Sequence, residues 1–125
     1  MTKRELINLC LEFPNAYEDY PFHEAAPTWA TIRHKGNKKI FANIFQYSTV
    51  ANGNLCISIK LNPFESDILR QSFESIKPAY HLNKEHWSMV QIGGDVPIEL
   101  LRDLIQKSYD ITKPKIKARK TNETY

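Results

Sequence analysis

Apolar side chains recur every three or four positions at the start of the chain, at Leu6, Leu9, Cys10 and Phe13, which is the spacing of one helix face. Thr2 followed by Glu5 is a capping-box pair, each side chain meeting a backbone N–H that the first turn leaves unpaired. The pattern predicts a helix over 3–13, closed by Pro14, because proline disfavours helical geometry in the residue before it. Residues 14–27 then lose all periodicity and carry Pro14, Pro21 and Pro27. They predict a structured loop, with Tyr17, Tyr20 and Phe22 packed on the sheet and the acids Glu18, Asp19 and Glu24 on its outside.

Alternation takes over from residue 28. Residues 28–33 and 39–47 read as two strands joined by the Gly-containing turn His34-Lys35-Gly36-Asn37-Lys38, and so as a hairpin. After the Asn52-Gly53 turn signal, Leu55, Ile57, Ile59 and Leu61 fall on one face of a third strand. Asn62-Pro63 opens a second helix, with Asn62 as N-cap and Pro63 where its missing N–H costs nothing. Phe64, Ile68, Leu69 and Phe73 are its expected apolar stripe, and Pro78 ends the region. Residues 87–92 read as a fourth strand and Gly93-Gly94 as a turn. Asp95 is the expected N-cap of a last helix that presents Leu100, Leu101, Leu104, Ile105 and Tyr109 on one side. The order α-β-β-β-α-β-α predicts an α+β two-layer sandwich, an antiparallel sheet of four or five strands with helices on one face.

A chain of 125 residues with 42% hydrophobic and 25% charged side chains matches one globular domain able to bury a core without a disulfide or structural metal. The expected domain is 1–112, followed by a basic, flexible tail over 113–125. Cys10 and Cys56 each lie in an apolar pattern and read as buried free thiols of a reducing compartment. With no apolar run near the ~20 residues of a membrane span and no signal-peptide pattern, the expectation is a cytoplasmic protein, and a monomer. The formal charge of +3 is unevenly placed, since five of the 17 basic residues and only one of the 14 acids fall from Lys113 onward. The part before Lys113 is near neutral, so a basic pI says little about it.

Candidate chemistry concentrates in Pro78–Trp87, PAYHLNKEHW. His81 and His86 are five apart with no cysteine nearby, a spacing that argues against zinc. Glu85 and His86 are adjacent, and on an extended segment adjacent side chains point to opposite faces. There is no G-x-S-x-G, Gly-rich phosphate loop or H-E-x-x-H, so no catalytic residue, metal or cofactor is expected. Aromatic and histidine side chains in such a segment are ordinarily structural, with their polar tips paired, but they are also what base-stacking surfaces use. A second cluster, Arg33, His34, Lys35, Lys38 and Lys39, makes the first hairpin tip basic with no acid among them. Such charges either keep a strand edge soluble or meet phosphates.

Three groups of residues together resemble the MmcQ/YjbR family of small bacterial proteins. They are Tyr20-Pro21-Phe22 after Glu18-Asp19, the segment Tyr80-His81-Leu82-Asn83-Lys84 with His86-Trp87, and Ser108-Tyr109. The likeness covers residues 1 to about 112. It implies a fold similar to the bacterial frataxin CyaY, DNA binding through a double-wing arrangement, and no known catalytic activity or cofactor. Iron handling of the frataxin kind depends on a strongly acidic first helix, and this one carries Lys3, Arg4, Glu5 and Glu12. The expected function is therefore a non-enzymatic protein that binds DNA weakly. The residues expected to meet DNA are Arg33, Lys35, Lys38 and Lys39 of the wing, Lys84 and His86 of the motif, and Lys113, Lys115, Lys117, Arg119 and Lys120 of the tail. The alternative is a protein-interaction or small-ligand module whose groove is lined by the motif and the aromatic loop 14–27.

Overall fold

The computed structural model describes residues 1–24, 28–80 and 82–115. Helix α1 (Lys3–Leu11) starts at the expected capping box, Thr2 Oγ1 accepting from the Glu5 N–H and Glu5 reaching back to the Thr2 N–H. Strands β1 (Ala16–Asp19), β2 (Ala30–His34) and β3 (Ile40–Phe45) follow. Next come a short 3-10 turn (Ala51–Gly53), strand β4 (Cys56–Lys60), helix α2 (Pro63–Ser72), strands β5 (Ile76–Pro78) and β6 (Trp87–Gln91), and helix α3 (Ile98–Thr112). The strands form one sheet of six in the order β1-β2-β3-β4-β6-β5, every neighbouring pair antiparallel. The three helices pack on one side, giving the α+β two-layer architecture expected from the sequence pattern with two more strands than the α-β-β-β-α-β-α reading contained.

The helix-covered face holds the main core. Leu6, Ile7 and Cys10 of α1 and Leu101, Leu104 and Ile105 of α3 close over Ile32, Ile44, Ile57, Ile59 and Val90. The alternation of β4 therefore does what the sequence pattern requires of it, burying Ile57 and Ile59 against the helices. A second, smaller cluster lies on the opposite face, where Trp29, Phe45, Val50, Cys56 and Met89 are buried under Tyr47, Tyr80, Leu82 and Trp87. In this cluster Phe45, Cys56 and Met89 share the strand face of Asn43 and Ser58 by register.

Five expectations are corrected. Residues 14–27 are not wholly loop, because Ala16–Asp19 pairs with β2 in the register Ala16↔His34 to Asp19↔Thr31. Every residue of that edge strand is half-buried, so the sequence shows none of the alternation that marks a strand with one buried face. Nor do its acids simply face outward, since Glu18 accepts from Arg4 Nη1 and Nη2, at 2.8 and 3.1 Å, and from the Tyr20 hydroxyl at 2.6 Å. The apolar stripe of α2 is displaced as well. Phe64 and Ile68 are 76% and 48% exposed, while Ser66 is buried, because an inward position facing β6 is filled by a polar pair, Ser88 Oγ donating to Ser66 Oγ at 3.2 Å. After α2 the chain makes the short edge strand β5, whose last residue is Pro78, instead of simply stopping there. Finally, Asp95 does not cap α3, whose N-cap is Pro97. Its carboxylate accepts from the Glu74 and Ser75 N–H groups at 2.9 and 3.0 Å, tying β5 to the turn after β6. Gly94 lets that turn close, as a Cβ there would stand 1.8 Å from Ser75 Oγ.

Candidate functional site

The topology gathers the β2–β3 turn, the end of β4, the start of β6 and the end of α3 at one end of the sheet. Ala42↔Ile59 and Lys60↔Trp87 set the strand register there. At that end Lys35, Lys38, Lys39, Lys84, Lys113 and Lys115 are all exposed. Lys60, which no sequence motif singles out, joins them as the partner of Trp87. From β3 to β6 is two strand spacings, about 10 Å, so the wing and the motif lysine lie on one short rim. Glu85 beside His86 and Asp110 beside Lys113 moderate the charge, at 3.9 and 3.7 Å.

The wing is braced from behind. His34 N–H donates to Lys39 O at 2.9 Å and Lys38 N–H to His34 O at 2.8 Å, and Lys38 takes a left-handed φ of 61°, an unusual setting for a side chain with a Cβ. Asn37 Nδ2 donates to Thr112 O at 2.9 Å, and Gly36 lies so close to Pro114 that a Cβ would come within 2.7 Å of its ring. Two members of the expected cluster serve this bracing. Arg33 donates through Nε to Asp19 and through Nη1 to Lys38 O, at 2.8 and 2.9 Å. His34 is buried between Phe41 and Tyr109 with Nε2 2.8 Å from Thr112 Oγ1. Alternation explains why they differ from Lys35, for strand residues turn to the sheet faces while turn residues project past its end.

Burial holds the His34 pKa below its ordinary value, opposed by a backbone hydrogen bond to Tyr109 and reinforced by Lys113 nearby. The folded protein thus prefers the neutral ring more than the unfolded chain does. The stability this provides is complete above the unfolded pKa of about 6.5 and is lost as pH falls through it toward the lower folded value. The melting temperature is expected to drop on acidification from about pH 7 to 5, and a His34→Gln protein to show a smaller drop over the same range in parallel thermal melts.

The motif itself is largely spent on structure. Asn83 Oδ1 accepts from the Glu85 N–H at 2.9 Å, and Asn83 O accepts from the Trp87 N–H at 2.9 Å. Residues 84–86 form a turn, so Glu85 and His86 are neighbours in space and not on opposite faces, as an extended segment would place them. Arg70 of α2, absent from every sequence-level candidate set, donates to Ser88 Oγ and to the Lys84 and Trp87 carbonyls. Ser108 Oγ donates to Phe41 O at 2.6 Å and accepts from the Lys60 N–H at 2.8 Å. The Tyr109 hydroxyl donates to Pro14 O at 2.7 Å. Tyr80, Leu82 and Trp87 pack on the second cluster, and His81 lies outside the described residues, as do Lys117, Arg119 and Lys120. Among the described residues no three His, Cys, Asp or Glu side chains gather as a metal site, and no helix is long and apolar enough to cross a membrane.

On the face away from the helices, the Trp29 and Phe45 rings stack with centroids 4.6 Å apart and planes at 8°. Asn43 Oδ1 accepts from Trp29 Nε1 at 2.9 Å and from Thr31 Oγ1 at 2.7 Å. The hydroxyls of Tyr47 and Ser58 are shut off from solvent without a hydrogen-bond partner, an arrangement that costs about 1–3 kcal/mol for each group.

Residues 11–111 match the family model described as YjbR. The "uncharacterized protein YyaQ" of Bacillus subtilis is 32% identical over 119 residues, 90% of this chain and 99% of that one. The "uncharacterized protein YbdF" of Escherichia coli O157:H7 is 41% identical over 73 residues, so that the match spans 58% of this chain and only 60% of that relative. A crystal structure of a Pseudomonas syringae protein superposes with a TM-score of 0.81 at 29% identity, covering 90% of this chain and all of the other.

Proposed function

The chain belongs to the YjbR family, and from that premise we propose that it is a non-enzymatic protein that binds DNA weakly, through its phosphates, at the basic end of the sheet. One observation carries the reading. The register places Lys35, Lys38 and Lys39 on the same rim as Lys60 and Lys84, and α3 delivers Lys113 and Lys115 beside them. Cations held on a braced turn lose less freedom on meeting a phosphate than cations on a free loop. Arg33 and His34 act behind the rim and not on it. Contacts of this kind position a duplex without reading its sequence.

Fluorescence anisotropy with a labelled duplex at about 50 mM salt is expected to show binding that weakens as salt rises, with a log-log slope of roughly −3 to −4 for three or four phosphate contacts. Reversing Lys35, Lys38 and Lys39 to glutamate should remove most of that slope. Absence of measurable binding at low salt, or a slope unchanged by the triple reversal, refutes the reading.

A further inference from the structure

The face of the sheet turned from the helices has features that phosphate binding does not use. Across it run Thr31, Asn43, Ser58 and Met89 in register, all buried. The Asn43 side-chain oxygen accepts two hydrogen bonds on the β2 side, and on β4 the register partner of Asn43 is Ser58. The Ser58 hydroxyl finds no partner, nor does that of Tyr47, whose ring lies 5.9 and 6.1 Å from those of Phe45 and Trp29. Native proteins rarely leave two buried hydroxyls unpaired in one small cluster unless something else pairs with them. The hydrophobic side chains beside them are aromatic or aliphatic or carry sulfur, with no carboxylate or basic group among them, and burial pushes the Cys56 thiol up to about 11, which keeps it neutral.

These features define the ligand by its chemistry. Trp29 and Phe45 form a parallel stack, both rings buried beneath their aromatic neighbours, and a flat ring that displaced one of those neighbours would continue the stack. The unpaired groups offer hydrogen bonds of both kinds to a ring edge, and the lack of charge disfavours an ion. Phe22, half-exposed and set edge-on to Trp29 with centroids 6.2 Å apart, is a covering side chain that would have to move aside to admit such a ring. Ala51, which packs against the cluster from the β3–β4 loop, takes a left-handed φ of 51°, a setting unusual for a residue with a Cβ.

We propose that this layer binds an uncharged planar nitrogen heterocycle, of nucleobase type, against Trp29, pairing its edge with Tyr47, Ser58 and Asn43. The ring has two potential sources, a free nucleoside or a base of a single strand. The proposal is independent of phosphate binding at the sheet end.

The chain has two tryptophans, so a Trp87→Phe protein leaves Trp29 as the sole indole reporter. It would be titrated with adenosine, guanosine, cytidine and uridine, and separately with a short single-stranded oligodeoxynucleotide. The expected result is saturable quenching, weakened roughly three- to tenfold by Ser58→Ala or Tyr47→Phe, as the loss of one hydrogen bond predicts. Neither substitution should lower the melting temperature of the free protein, because each deletes a hydroxyl that the free protein leaves unpaired. Binding of the nucleosides should survive the triple lysine reversal, which separates this site from the phosphate rim. Quenching by the strand alone, still sensitive to Ser58→Ala, assigns the ring to a base within a strand. If Trp87→Phe does not fold, the same titrations are read on the parent protein from the side-chain amide resonances of Asn43. The proposal is overturned if no probe gives a saturable change, if Ser58→Ala and Tyr47→Phe bind as the parent does, or if either substitution lowers the melting temperature of the free protein.

Discussion

Replacing Ser108 with alanine is expected to lower the melting temperature by about 6 °C or more, although it deletes one oxygen atom. That oxygen is fully buried and serves two strands at once, donating to Phe41 O of β3 and accepting from the Lys60 N–H of β4. Without it both backbone groups lose their partner where α3 crosses the sheet and excludes water. An unpaired buried group costs about 1–3 kcal/mol, so the pair amounts to roughly 2–6 kcal/mol. For a chain of this size each kcal/mol moves the midpoint by roughly 3–6 °C. Scanning calorimetry of Ser108→Ala beside Ser108→Thr checks it, since threonine retains the hydroxyl. A loss under about 0.5 kcal/mol, the level of an ordinary surface change, would mean that the bridge contributes nothing.

Arg70→Ala should produce a comparable loss, about 2–4 kcal/mol, with a local signature as well. The guanidinium fastens α2 to Ser88 Oγ and to the carbonyls of Lys84 and Trp87. Its removal releases the 82–87 segment from the helix while leaving β4 and β6 paired. Amide hydrogen exchange should therefore accelerate in residues 82–87 well before it does in β3 or β4. Limited proteolysis should likewise cut near Lys84, which is exposed. If exchange rises evenly through the sheet, Arg70 supports the fold at large and has no special hold on this segment.

How far the fold was legible follows from where burial is one-sided. The alternation of residues 55–61 gives the strand that became β4 because the helices take one of its faces, and Asn62-Pro63 marks α2 because a cap and a first-turn proline act locally. The edge strands β1 and β5 were illegible for the opposite reason. Ala16–Asp19 is half-buried throughout, and Ile76–Pro78 has three residues, too few for any period to register. Asp95 misled because a cap and a tertiary acceptor look alike in sequence. The candidate sites divide the same way. Lysines in a turn are visible as a charged run, whereas the roles of Arg33 and His34 depend on Asp19 and Thr112, which only the fold brings near. Asn43, Ser58 and Arg70 carry no motif at all. The likeness to a family rested in part on Asn83, Ser108 and Tyr109, and their bonds show that such a signature can mark how a fold is closed and not what it binds.

The contacts of Lys3 and Pro114 have a practical consequence. Lys3 reaches the carbonyl of Thr28, before the start of β2, and Pro114 lies against Gly36, just past its end. The chain therefore enters and leaves the described domain at opposite ends of the sheet, roughly 20 Å apart along β2. A surface tether attached ahead of Lys3 would hold the lysine rim out toward the solution, whereas one attached beyond Lys115 would press that rim against the support. Sensor-chip measurements in the two orientations should then disagree for a ligand of the rim.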